Sequence, residues 1–186
     1  MLPLSSPRLV LRRFTPDDLE PFLAYRNDPL VARFQGWEGC SRDEAAALIR
    51  AQSVQEPGVP GQWLQVAISP RATNHLVGDC GLKVHAHDPR QATLGVTLAR
   101  PHQGLGYATE TLSTLLNYVF GTMNLHRVIA DTDPENVPSW RLLERLGMRR
   151  EAHTRQSLWF KGRWADEYLY AILAEEWLSR ERQSRI

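Results

Sequence analysis

The most constraining feature of this chain is a change of hydrophobic period across a tight glycine loop. Upstream, Ala92 to Leu98 alternates with the period of a strand; downstream, Ala108, Leu112, Leu115, Leu116 and Val119 recur at helical spacing and make one apolar face. Between them lies Gln103-Gly104-Leu105-Gly106-Tyr107-Ala108. A strand that delivers directly into a one-sided helix needs a sheet for that helix to cover, which points to an α/β architecture. The loop also has a chemical reading. Glycines let the backbone take left-handed turns, so successive N–H groups converge beside the positive end of the helix and form a cradle for phosphate. A Walker loop would require Gly-Lys-Ser/Thr, which is absent, and a dinucleotide fold would place its glycines after the first strand with an acid about twenty residues on. Two glycines that merely turn the chain into a helix are the competing reading.

The remaining elements follow from local signals. Arg8–Phe14 reads as a strand, and Thr15-Pro16-Asp17-Asp18 as the capped start of a helix running to about Arg26. Asn27-Asp28-Pro29 breaks that helix, and Ser41-Arg42-Asp43-Glu44 is a capping box that opens a second, ending before Pro57-Gly58. Strands are predicted at Trp63–Ile68, Leu76–Val84 and Ala92–Leu98, then the helix after Pro101, a short strand at Arg127–Asp131, and a helix over Asn136–Leu146 stopped by Gly147. Two last strands, Arg149–Phe160 and Trp164–Leu173, flank the turn Lys161-Gly162-Arg163. The prediction is a single α/β domain over residues 1–186, with a mixed, mostly antiparallel sheet of about seven strands and about four helices.

Composition narrows the function classes. Length and an apolar fraction of 42% suit one domain with a sizeable core. Twenty-two basic residues against 21 acidic ones leave a net charge of +1, too little to hold nucleic acid or anionic lipid by bulk field. The 20 arginines and 2 lysines suit phosphate clamps or a codon bias equally. No apolar run reaches the ~18 residues of a membrane span, and Met1-Leu2-Pro3-Leu4 has no leader pattern, so a cytoplasmic protein is expected. Cys40 and Cys80 lack zinc-type spacing and are expected to be reduced thiols. His85-x-His87-Asp88 has metal-ligand residue types but no distant partner, and no metal is expected.

Asn136-x-x-Ser139 at the start of a helix is a further candidate. A neutral hydroxyl there can donate a proton to a developing anion, or the pair can simply cap the helix. Arg141, Arg145, Arg149 and Arg150 form a basic cluster that reads as a solvated helix face or as a phosphate contact.

These residues resemble a known family. Gln103, Gly106 and Ala108 occupy the positions of the acyl-CoA pyrophosphate loop of GNAT-type N-acetyltransferases. Further stretches resemble the RimJ/RimL-like branch of that family: Asn27–Phe34, Gly36-Trp37, Gly104–Glu110, Asn136–Ser139, Leu143–Met148 and Lys161–Asp166. The similarity extends in order over about residues 8–175.

The resemblance implies a sheet splayed between its fourth and fifth strands, with the pantetheine arm of acetyl-CoA in the gap. It assigns acetyl-CoA binding to the backbone of Val96, Thr97 and Leu98, to Gln103, Gly104, Leu105, Gly106, Tyr107 and Ala108, and to Asn136 and Ser139. Asn136 lines the pantetheine tunnel or caps the helix. Ser139 matches the hydroxyl that protonates the departing thiolate. Phe34, Trp37 and Trp159 are the candidate lining of the acceptor pocket, or core packing. The chain departs from the family pattern in its general base: the glutamate positions of relatives hold Thr93 and Leu158, which leaves Asp79, His85, His87 and Glu110 as candidates. The expected activity is acetyl transfer to a primary amine, a protein N-terminus or a small molecule, in a monomer or homodimer. The alternative is an acyl-CoA-binding module without turnover.

Overall fold

The computed structural model describes residues 2–183; Met1 and residues 184–186 lie outside it. In chain order the elements are β1 (Leu4–Ser5), β2 (Leu9–Arg12), α1 (Leu19–Arg26), α2 (Pro29–Ala32), α3 (Arg42–Val54), β3 (Trp63–Pro70), β4 (Gly78–Val84) and β5 (Gln91–Leu98). There follow α4 (Tyr107–Gly121), β6 (Arg127–Thr132), α5 (Val137–Arg145), β7 (Arg149–Phe160), β8 (Arg163–Leu173) and α6 (Ala174–Gln183). All eight strands form one sheet in the order β1-β2-β3-β4-β5-β6-β8-β7. Every pairing is antiparallel except β5 with β6.

The α/β class and mixed sheet agree with expectation, while among the described residues the counts rise to eight strands and six α-helices. The added strand is the two-residue edge β1, where Leu4 faces Leu11, too short to carry a period. Asn27-Asp28-Pro29 does end α1, but it also starts α2: the Asp28 carboxylate accepts the Leu30 N–H at 3.0 Å and Pro29 occupies the first turn. The C-terminal helix α6 buries Trp177, whose indole N–H donates to Asn117 Oδ1 at 2.9 Å. Among the described residues no helix is long and apolar enough to cross a membrane.

Parity sorts the sheet into two faces. Ala92, Leu94, Leu98, Val128, Ala130, Tyr170 and Ile172 enter the larger core together with Leu112, Leu116 and Val119 of α4. On the other face Phe14, Phe22, Tyr25, Ala45 and Ile49 form a second core over Ala67 and Leu76.

The feature that positions the site is where pairing stops. The β5–β6 ladder covers only Gln91–Thr93 against Arg127–Ile129. Beyond Thr93, β5 continues with β4 alone as far as Leu98 opposite Gly78, while β6 continues with β8 as far as Thr132 opposite Tyr168. Two strands that begin side by side therefore diverge, and a cleft opens through the sheet. The β7–β8 hairpin turns at Lys161 and Gly162, both at positive φ (48° and 79°), the backbone of a type I′ turn. From this turn the Lys161 ammonium donates to the carbonyls of Ala32 (2.7 Å) and Trp37 (2.8 Å), tying the hairpin to the segment after α2.

Candidate active site

At the end of β5 the chain enters the glycine loop. Gly104 and Gly106 lie at φ 73° and 80°, and Gly106 is the N-cap of the 15-residue helix α4. Those angles favour glycine. A Cβ on Gly104 would meet nothing within 4 Å, and one on Gly106 would meet only Arg8 Nη2 at 3.2 Å, so the loop keeps an open face. The N–H groups of Gly104, Leu105 and Gly106 find no acceptor among the described residues, and the first turn of α4 adds its own unmatched donors. The result is a free amide cradle at the positive end of a long helix, which fits a pyrophosphate.

Two side chains brace this loop. Gln103 Nε2 donates to the Leu98 carbonyl at 2.9 Å and ties the loop to β5. Arg8 donates from Nη1 to the Leu105 carbonyl (2.9 Å) and from Nε to Glu110 (2.6 Å), and its guanidinium lies 5.0 Å from the Tyr107 ring centre. Bonds from Ser6 and Arg8 hold the Glu110 carboxyl below its usual range, against the opposing effect of burial. Arg8 is a cation beside the cradle that sequence reading overlooked, because nothing local links it to a loop about a hundred residues away.

The cleft between β5 and β6 has a volume of about 320 Å³. Thr93, Gly95 and Val96 form one wall, and Asp131, Thr132 and Asp133 the other. Asn136, Ser139, Leu142 and Leu143 of the α5 region close one side, Phe34 and Gly36 another, and Glu167 of β8 enters beyond the end of β6. Asn136 stands at the N-cap of α5, yet its side chain makes no capping bond; its backbone carbonyl accepts the Ser139 N–H at 3.0 Å. The half-buried Ser139 hydroxyl has no hydrogen-bond partner among the described residues. Among the described residues, the only charged ones lining the cleft are the carboxylates Asp131, Asp133 and Glu167. At the rim, Arg163 lies 3.5 Å from Asp133 and, with Arg33, holds the Glu135 carboxyl below its usual range.

The other predicted residues are distributed as follows. Val96 lines the cleft, whereas Thr97 and Leu98 are buried along the β4 pairing. Phe34 lines the cleft; Trp37 instead stacks on the Arg26 guanidinium, 3.6 Å from ring centre to Cζ. Trp159 is 60% exposed on β7, edge-on to Trp164. Of the candidate bases, Asp79 is buried under Tyr25 and Arg26, and Glu110 is held by Arg8. Leu158 is exposed on β7, and Asp88 is bound to Arg90 and Gln91. His85 Nε2 lies 2.9 Å from Thr93 Oγ1. Among the described residues no three His, Cys, Asp or Glu side chains form a metal-binding group.

Comparison with known proteins agrees with this geometry. The family model described as an acetyltransferase (GNAT) domain matches residues 8–149. The chain is 30% identical over 174 residues to the uncharacterized N-acetyltransferase p20 of Bacillus licheniformis, covering 94% of this chain and 97% of that protein. Over 84 residues, 45% of this chain and 43% of the relative, it is 33% identical to the ribosomal protein uS5 alanine N-acetyltransferase of Escherichia coli. A solved GNAT-family acetyltransferase from Bacillus anthracis superposes with a TM-score of 0.82 at 30% identity, over 94% of this chain and all (100%) of that one. A sheet parted beyond Thr93, an amide cradle at the end of the parted strand and a family match over most of the chain lead to one conclusion: this protein belongs to the GNAT acetyltransferase family.

Proposed function

We propose that the protein moves the acetyl group of acetyl-CoA to a primary amine, either a protein N-terminal α-amine or the amine of a small molecule, by direct attack in a ternary complex. The observation that carries this reading is the position of Leu94–Leu98. This stretch leaves its β6 partner at the cleft, runs along the wall facing Ser139 and ends at the free amide cradle. The amides of Gly104 to Ala108 would hold the pyrophosphate, and the backbone of Val96 to Leu98 would pair with the pantetheine amides. Acetyl-CoA supplies the activated acetyl carbonyl. Ser139 donates a proton to the departing sulfur, and Asp131, Asp133 and Glu167 favour an acceptor that arrives as a cation.

The acceptor must shed a proton before it attacks. At pH 7 this costs about 4–5 kcal/mol for a lysine-like amine of pKa ~10.4, but only about 1 kcal/mol for an α-amine near ~8. Without a glutamate at Thr93 or Leu158, the low-pKa amine is the favoured class. The test is thiol release from acetyl-CoA against peptides of varied N-terminus, lysine peptides, polyamines, amino acids and aminoglycosides. Turnover with one class is expected. Tight acetyl-CoA binding with no amine-dependent release would instead identify a binding module.

The cradle gives a second expected outcome. Gly106→Val forces a branched side chain into the left-handed region, at about 1–2 kcal/mol of strain. If the loop relaxes to relieve it, acetyl-CoA affinity measured by calorimetry should fall about tenfold, since ~1.4 kcal/mol is a factor of ten. Unchanged affinity would count against the cradle as the pyrophosphate site.

A further inference from the structure

Thr93 is the last β5 residue paired with β6, so it stands at the vertex of the splay and lines the cleft. Behind it, one residue beyond β4, is His85, with Nε2 2.9 Å from Thr93 Oγ1. Lys83 pairs with Thr93, and parity then places His85 on the same sheet face. The parallel register Thr93↔Ile129 and the antiparallel register Asp131↔Leu169 put Asp131 and Glu167 on that face as well. The His85 backbone N–H is fixed to the Gln91 carbonyl at 2.9 Å, and the His85 Nδ1 is buried with no partner among the described residues.

We propose, building on the amine-acetylation reading, that Thr93 and His85 form a proton relay in which Thr93 accepts a proton from the bound ammonium and passes its own hydroxyl proton to His85. The direction follows from hydrogen-bond chemistry. An ammonium has only donors, so a hydroxyl facing it must accept, and its single O–H is then directed to the imidazole Nε2. One ammonium proton moves to Thr93 Oγ1 as the Thr93 proton moves to His85, leaving a neutral amine and an imidazolium; after the product leaves, Nε2 returns the proton through Thr93 Oγ1 to the open cleft and solvent. The nitrogen lone pair then forms the N–C bond as the C–S bond breaks. The second proton leaving nitrogen replaces the one Ser139 gives to sulfur, and atoms and charge balance.

The surroundings keep the imidazole ready to accept. Burial, the neighbouring His87 ring at 5.3 Å and Lys83 hold His85 below the usual imidazole range, opposed by Asp88. Asp88 is itself bonded to Arg90 and Gln91. Thr93 is the group that touches the substrate, and His85 acts through it as a positioning residue.

The test is the pH profile of kcat/KM with the acceptor found active in the panel. His85→Gln and Thr93→Val should each lower kcat/KM about tenfold at pH 7. Both should move the acid limb up to the pKa of the free amine, with the KM for acetyl-CoA unchanged and with Thr93→Ser restoring the wild-type profile. In the binary complex with amine and no acetyl-CoA, 15N NMR should find His85 protonated on Nδ1. The proposal is overturned by a wild-type profile in His85→Gln, by a Thr93→Ser variant as impaired as Thr93→Val, by a neutral His85 carrying its one proton on Nε2 in that complex, or by Glu167→Gln alone moving the acid limb. Absence of any amine-dependent turnover in the wild type overturns the function itself, whereas turnover with unmoved profiles overturns the relay only.

Discussion

Asp79→Ala is expected to lower the free energy of unfolding by about 3–5 kcal/mol, read from urea denaturation, the largest single-site stability effect anticipated here. Asp79, Arg26 and Tyr25 are 3%, 5% and 2% exposed. The Tyr25 hydroxyl donates to Asp79 Oδ1 at 2.6 Å, and Arg26 Nη2 lies 3.3 Å from Asp79 Oδ2. The guanidinium is further enclosed by Phe22 at 4.7 Å and Trp37 at 3.6 Å, while its Nε and the Trp37 indole N–H have no hydrogen-bond partner among the described residues. Burial pushes the Asp79 carboxyl up and, with the adjacent carboxylate, the Tyr25 phenol well up; the guanidinium opposes both. Removing the carboxylate leaves a buried cation and a buried hydroxyl uncompensated, the costly way to break such a group. Asp79→Leu combined with Arg26→Met removes both charges, and about 1 kcal/mol or less should separate it from wild type. A loss below about 1 kcal/mol in Asp79→Ala would mean that water reaches the group. The cluster also bears on function. It anchors α1 to β4 and seats Trp37 next to the segment whose Phe34 and Gly36 line the cleft, so a higher KM for the amine should accompany the lost stability.

Ser139→Ala should reduce kcat about 10- to 100-fold at pH 7 while leaving acetyl-CoA affinity within about twofold and stability within about 0.5 kcal/mol. The hydroxyl bonds to no other described residue, so its removal breaks nothing in the fold; the backbone at Asn136, not this side chain, starts the helix. The expected loss comes entirely from proton donation to the leaving sulfur. Above a thiol pKa of about 8.5 the released product is the thiolate and needs no proton, so the deficit should shrink above that pH. Thiol-release kinetics from about pH 6.5 to about pH 9.5, which brackets a thiol pKa of ~8.5, would check this. A kcat within about threefold of wild type at pH 7 would remove Ser139 from the chemistry.

Much of this arrangement is legible locally. The cap read at Thr15 and the capping box read at Ser41 both mark helix starts in the structure, Thr15 opening a 3-10 turn (Pro16–Asp18) that leads into α1 and Ser41 opening α3. The glycines at 104 and 106 announce left-handed backbone before a helix, and Lys161-Gly162 announces the hairpin turn. Other features have no local trace. Arg8 reaches the glycine loop only because β2 lies beside the start of α4, and Trp37 turns from the cleft because a buried guanidinium offers it a face. The second half of Asn27-Asp28-Pro29, a helix start hidden in a helix stop, is visible only once the backbone bonds are traced.

By itself the sequence determined most of the elements, the left-handed glycines of the loop and a hydroxyl at the start of a helix, because period, caps and glycines act within a few residues. Only the tertiary structure decided which carboxylates face the cleft and which histidine stands behind Thr93. Thr93, Asp131 and Glu167 belong to three strands far apart in the chain, and His85 follows a fourth. Whether they share a face depends on hydrogen-bond register, where a slip of one residue would turn any of them to the opposite side.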